Sequence, residues 1–130
     1  MTEKPIILVV EDDPTLHALI DDALTEGGFE VAIASSGEEA VTLLSGPNGQ
    51  YVALVTDINL SGKMEGWEVA RRARKIDSQF PVVYMTGASA DEWGSQGVPN
   101  SILLNKPFAP AQLVTAVSNL LNAPNSGAPA

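Results

Sequence analysis

The chain has 130 residues, 45 % of them hydrophobic, enough for one globular domain with a sizeable core. Its 16 acidic against 7 basic residues give a net charge of −9, a poor match for the phosphate backbone of a nucleic acid. With no cysteine, disulfides, thiolate zinc sites and a cysteine nucleophile are excluded and a cytoplasmic location fits; no run of about 18 apolar residues is present to span a membrane.

"IILVV" after Pro5 is a continuous apolar run, which predicts a strand over Pro5–Val10 buried on both faces. It yields to acids too soon for a secretory signal. Asp13-Pro14 predicts a helix start, with an acid to cap and a proline whose missing N–H costs nothing there. Leu16, Leu19, Ile20, Ala23 and Leu24 form its apolar stripe, and Gly27-Gly28 ends it. Phe29–Ala34 is a second strand. Ser36 with Glu39 three residues on is a capping box for a second helix, with Val41 and Leu44 inward and a break at Gly46–Gly49. Tyr51–Thr56 is a third buried strand ending at Asp57. A loop, "DINLSGKMEG", leads to a helix from about Glu65 to Asp77, with Val69, Ala73 and Ile76 on its buried side. Pro81–Met85 is a fourth strand ending at Thr86-Gly87. A weak helix spans Ala90–Gln96, and Ser101–Leu104 is a fifth strand ending at Lys106-Pro107. Pro110 opens the last helix, with Leu113, Val114, Val117, Leu120 and Leu121 inside; residues 123–130 read as a flexible tail behind a domain of residues 1–122.

Strands alternating with helices imply an α/β fold: a parallel sheet with helices on both faces. Right-handed crossovers bring the carboxyl ends of all five strands to one edge, where ligands bind in such sheets. Glu11–Asp13, Asp57, Thr86 and Lys106 each follow a different strand, so residues far apart in sequence meet there. At about 5 Å and an effective dielectric near 20, each pair among Glu11, Asp12 and Asp57 repels by roughly 3 kcal/mol. The cluster therefore calls for a proton, a cationic side chain or a metal ion. Oxygen ligands without histidine or cysteine point to Mg²⁺, Mn²⁺ or Ca²⁺. Mg²⁺ suits a site of few carboxylates, waters and a phosphate oxygen, and Lys106 and Thr86 add an ammonium and a hydroxyl. The set suits phosphoryl chemistry, with a carboxylate as nucleophile and cations against the transferring oxygens. Asp57 is the candidate acceptor, free of capping duty and central in a sheet ordered 2-1-3-4-5.

Taken in order, "VVEDD" (Val9–Asp13), "LVTDINL" (Leu54–Leu60), "EGWE" (Glu65–Glu68), "YMTGA" (Tyr84–Ala88) and "NKPF" (Asn105–Phe108) resemble the receiver domain of two-component response regulators, over about residues 5–122. The resemblance implies a flavodoxin-like five-stranded sandwich that takes a phosphoryl group from a histidine kinase or phosphotransfer protein and catalyses that transfer onto itself. Carried over by position, Asp57 is the acceptor. Asp12 touches Mg²⁺ directly, Glu11 mainly through water, and Asn59 through its backbone carbonyl. Thr86 and Lys106 bind phosphoryl oxygens, and Lys106–Pro107 is cis. The resemblance also implies that the chain is not a conventional enzyme and that output runs through protein binding, on the surface of the last two helices and the fifth strand.

Two places depart from the family pattern. Ser61 stands where a proline is frequent, and Glu65-Gly66 comes one residue late, so the loop after Asp57 carries an insertion whose "SGK" makes it more flexible. Leu103 stands where many receivers carry an aromatic ring, so the usual threonine–aromatic coupling cannot operate in that form, while "YMTG" resembles a branch, frequent among stand-alone receivers, that lacks the later ring. His17 reads as an exposed helix residue and Arg71–Lys75 as a solvated helix face. Trp67 covers the core edge, and Trp93 is a candidate binding anchor or simple core cover. Two other readings fit parts of the pattern. A metal-dependent phosphatase would place a second Asp where Asn59 stands; a degenerate receiver acting only as a binding module would tolerate Leu103.

Overall fold

The computed structural model describes residues 4–46 and 50–122. Its elements are β1 (Ile6–Val10), α1 (Pro14–Glu26), β2 (Glu30–Ala34), α2 (Gly37–Ser45), β3 (Tyr51–Asp57), α3 (Gly66–Ile76), β4 (Val82–Thr86), a 3₁₀ turn (Ala90–Glu92), α4 (Trp93–Gln96), β5 (Ile102–Asn105) and α5 (Pro110–Asn122). The strands pair in parallel in the order β2-β1-β3-β4-β5, the order expected from the sequence. The tail expected at residues 123–130 lies outside the described residues, as does most of the Gly46–Gly49 break.

The helix starts follow their capping chemistry. Asp13 accepts the Thr15 N–H at 3.0 Å, with Pro14 in the first turn. Ser36 Oγ accepts the Glu39 N–H at 3.1 Å, but Glu39 reaches back to the Ser35 N–H at 2.8 Å, one residue before the cap. The expected box is thus shifted by one residue on its return bond.

The pleat of the sheet sorts each strand between two apolar layers, because successive side chains point to opposite faces. Leu8 and Val10, Leu54, and Val82 and Tyr84 face the layer of α2 and α3, where Ala40, Leu44, Trp67, Val69, Ala70 and Ala73 are buried. Ile7 and Val9, Ala53 and Val55, and Val83 and Met85 face the layer of α1 and α5, with Ile20, Leu24, Leu113, Ala116 and Val117. β1, β3 and β4 are covered on both faces, which is why they read as unbroken apolar runs. Each fully buried branched side chain contributes roughly 1.5–3 kcal/mol relative to exposure.

Some apolar residues fall elsewhere than expected. Ile76 is 57 % exposed rather than buried. It is the last residue of α3, and the end of that layer is filled from the next loop by Phe80, 7 % exposed. Leu19 is 39 % exposed, at the margin of the α1 stripe whose centre is Ile20, Ala23 and Leu24. Val114, Leu120 and Leu121 are only half-buried against the core. Trp67 goes further inside than an edge cover: it is buried, its ring centroid 4.9 Å from that of Tyr84.

Gly66 sets how closely α3 approaches β3. A Cβ there would sit 2.2 Å from the Asp57 carbonyl oxygen and 2.9 Å from Ile58 Cα. Its N–H donates to the Ile58 carbonyl at 2.9 Å, so the helix starts against the backbone that carries Asp57. A side chain at this position would push the two apart.

Candidate functional site

The pleat continues into the loops at the carboxyl edge. Asp57 ends β3 in the alternation that turns Ala53 and Val55 toward α1 and α5. Glu11 follows β1, and its N–H extends the ladder by donating to Ala34 O at 3.1 Å, in step with Ile7 and Val9. Lys106 follows β5 in step with Ile102 and Leu104, which also pack on the α1–α5 layer. Thr86 has the opposite phase, in step with Val82 and Tyr84. The alternation therefore divides the site into a charged half and a neutral half.

In the charged half, Lys106 Nζ donates to Glu11 Oε1 at 2.9 Å and to Asp57 Oδ2 at 3.0 Å. The Glu11 side chain is 1 % exposed, that of Asp57 8 % and that of Lys106 23 %, so this is a largely desolvated ionic cluster. Glu11 Oε2 accepts the Asp13 N–H at 3.0 Å and Asp57 Oδ1 the Asn59 N–H at 3.3 Å. The Lys106–Pro107 peptide is cis. Burial pushes the Glu11 carboxyl above its ordinary 4.5; the Lys106 hydrogen bond opposes this and the Asp57 charge adds to it. Burial also pulls on the Lys106 ammonium, but its bonds to Glu11 and Asp57 outweigh that and hold its pKa above the ordinary value. The two shifts differ in cause: burial raises Glu11, and bonds to two carboxylates raise Lys106.

Asp12 completes the acidic set. Its Oδ2 accepts the backbone N–H of Ser61 at 2.9 Å, and that bond holds its carboxyl below the usual carboxylate range. Glu11, Asp12 and Asp57 each offer one oxygen, and these atoms all lie within 4.8 Å of one another. The three carboxylates with Lys106 carry a formal charge of −2, and every donor is a hard oxygen. The set fits a divalent cation of the Mg²⁺ type in both charge and ligand chemistry.

The neutral half is built on Thr86, which is fully buried. Thr86 Oγ1 accepts the N–H groups of Ala88 at 3.1 Å and Ser89 at 2.8 Å, and lies 3.5 Å from Asn59 Oδ1, to which it donates. Asn59 Nδ2 lies 3.2 Å from Ser89 Oγ, and that hydroxyl lies 3.3 Å from Asn59 Oδ1. This clasp joins the loop after β3 to the loop after β4. Behind it Leu103 pairs in register with Tyr84 and packs on the α2–α3 layer. Tyr84 is buried, its hydroxyl accepting the Val98 N–H at 3.0 Å, and burial raises its pKa above the ordinary 10.0. It anchors the chain between α4 and β5 rather than facing solvent.

All the residues singled out from the sequence lie at this edge: Glu11, Asp12, Asp57 and Lys106 close together, and Asn59 linking Asp57 to Thr86. Sequence reasoning did not find Ser89, because nothing in its type or spacing marks it. It marked Ser61 only as a departure, and it gave Asn59 a backbone role alone. His17 is half-buried rather than exposed, its Nε2 against the Glu11 carbonyl oxygen. The "SGK" stretch, expected to be flexible, makes two hydrogen bonds to carboxylates: besides the Ser61 bond, the Lys63 N–H donates to Glu38 Oε2 at 3.2 Å. Trp93 is 37 % exposed, with its Nε1 donating to Ser101 Oγ at 2.9 Å.

A family model described as the response regulator receiver domain matches residues 7–118. The crystal structure of a response regulator receiver protein from Sinorhizobium medicae superposes with a TM-score of 0.87 at 48 % identity, covering 93 % of this chain and 97 % of that one. A receiver domain protein from Clostridium thermocellum gives a TM-score of 0.81 at 26 % identity, over 91 % and 94 % of the two chains. The transcriptional regulatory protein TcrA of Mycobacterium tuberculosis is 39 % identical over 104 residues, 78 % of this chain and 40 % of TcrA. The chain spans roughly half the length of the curated relatives it matches. Among the described residues no helix is long and apolar enough to cross a membrane.

Proposed function

The chain belongs to the response regulator receiver domain family of two-component systems, and on that footing we propose that it accepts a phosphoryl group on Asp57 and signals by binding other proteins. The observation that carries this reading is the Lys106 ammonium bridging Glu11 and Asp57 beside Asp12, at the ends of three separate strands. Glu11, Asp12, Asp57 and the main-chain carbonyl of Asn59 would hold Mg²⁺, which when bound neutralises charge on the transferring phosphoryl oxygens.

The chain's own groups do the rest. An Asp57 carboxylate oxygen attacks phosphorus, and the bond from phosphorus to the donor breaks. With a phosphohistidine of a kinase or phosphotransfer protein as donor, the bonding pair stays on the imidazole nitrogen. Lys106 exchanges a carboxylate oxygen for a phosphoryl oxygen, which its flexible stem permits. Thr86 has a single hydroxyl proton, now directed at Asn59 Oδ1 over a long 3.5 Å; turned to a phosphoryl oxygen it makes a stronger, charge-assisted bond. Its acceptor bonds to the Ala88 and Ser89 amides tie that choice to the start of the segment leading to α4. With Leu103 in place of a ring, this backbone link is the route from phosphoryl group to surface. Trp93 lies on that segment and offers an anchor for an output partner on the face of α4, β5 and α5. The only reaction in this reading is on Asp57 itself.

Incubation with Mg²⁺ and a small phosphodonor tests it by intact mass. One phosphoryl adduct is expected, removed by hydroxylamine and absent from Asp57→Asn. An adduct that survives in Asp57→Asn overturns the assignment of the acceptor. No adduct on the parent chain reduces the domain to a binding module.

A further inference from the structure

Ser61 stands four residues past Asp57, where a proline has no backbone N–H to donate. Here that N–H exists and is used, donating to Asp12 Oδ2 at 2.9 Å. The next residues of this loop are fastened to a second carboxylate. The Lys63 N–H donates to Glu38 Oε2 at 3.2 Å, with Glu38 in the first turn of α2. Gly62 between them has φ 98°, and a Cβ there would lie 3.2 Å from Glu38 Oε1, so glycine is the residue that passes without strain. Residues 61–63 thus form a strap between the end of β1 and the start of α2. An amide on one oxygen of a carboxylate fixes the plane of the group, and so the direction of its other oxygen.

We infer that the Ser61 backbone N–H is a positioning group for the divalent cation of this site, holding the Asp12 carboxylate in its ligating orientation. This rests on the reading that the Asp12 cluster binds Mg²⁺. Hydrogen bonds to a ligating carboxylate from outside the metal's own ligands are commonly worth ten- to a hundredfold in affinity.

Calorimetric titration of the unphosphorylated full chain with Mg²⁺ tests it. Ser61→Pro deletes the N–H and is expected to weaken Mg²⁺ binding about tenfold. Ser61→Ala keeps the N–H and is expected to lose clearly less. Parent-like or tighter binding by Ser61→Pro, or equal losses in both variants, overturns the inference while leaving the metal site standing. A parent chain that does not bind Mg²⁺ overturns the metal site and the inference together. Where Ser61→Pro fails to fold by circular dichroism, amide NMR on the parent decides. The Ser61 N–H is expected to stay protected from exchange when Mg²⁺ is added, and loss of protection means that the metal displaces the bond.

Discussion

The two halves of the site are built from different materials, although both lie at the ends of adjacent strands. On the α1–α5 side, Glu11, Asp57 and Lys106 form a desolvated ionic cluster, with Asp12 strapped beside it. On the α2–α3 side, Thr86, Asn59 and Ser89 are joined by neutral hydrogen bonds, several between 3.2 and 3.5 Å. In the proposed function the ionic half is the one that would hold a cation and a transferring group, and its buried charges are costly to leave unpaired. The neutral half, which would respond under that proposal, is held by contacts worth about 1 kcal/mol each, weaker than a charge-assisted bond. It leads into a four-residue α4 with no buried residue, an element with little packing to resist displacement.

Removing one charge from the ionic half should give the largest effect on this contrast. Lys106→Met leaves the Glu11 and Asp57 carboxylates facing each other with no ammonium between them. Because the lysine is partly exposed, the expected loss is about 2 kcal/mol, below the 3–5 kcal/mol of a fully buried pair. Added Mg²⁺ should recover more stability in this variant than in the parent, since the cation then meets one more uncompensated negative charge. Urea unfolding with and without Mg²⁺ measures both. A variant as stable as its parent would show that the cluster is better solvated than its burial indicates.

The neutral half should give less. Ser89→Ala removes the hydroxyl of the clasp but not its N–H to Thr86; about 1 kcal/mol is expected, with the same Mg²⁺ increment as the parent. An altered Mg²⁺ increment would mean that the halves are coupled before any phosphoryl group arrives.

Alkaline pH addresses both halves with the smallest expected change. Tyr84 and Lys106 both have folded pKa values raised above their ordinary 10.0 and 10.5. The protonated form is the one that the fold favours, so each contribution is full below the ordinary value and is lost as pH rises through the raised one. Thermal midpoints should therefore fall from about pH 10 upward. Tyr84→Phe should flatten the first part of that fall. An unchanged slope would assign the alkaline loss to Lys106 alone.

Much of this molecule is legible in its residues. The unbroken runs of β1, β3 and β4 announce strands covered on both faces, and Asp13-Pro14 and Ser36 mark helix starts that the structure keeps. The acids after β1, Asp57, and Lys106 could be brought together on paper, because a parallel α/β sheet collects strand ends at one edge. Ile76 and Leu19 were misplaced because helical periodicity gives a direction around the axis but not where the neighbouring layer stops. The bonds of the "SGK" stretch were not legible, because composition reports the entropy of a free loop and not the carboxylates that meet its amides.

What the amino-acid order settled alone was strand period, helix caps, the chemical type of each strand-end residue and, through the alternation of strands and helices, the sheet edge at which those residues gather. The tertiary structure decided the rest. It brought the Ser61 N–H to Asp12, 49 positions away, closed Asn59 onto Ser89, 30 positions away, and turned Trp67 inward onto Tyr84. Those contacts depend on how crossovers pack against both faces of one twisted sheet, and a backbone amide carries no residue type by which such a partner can be read in advance.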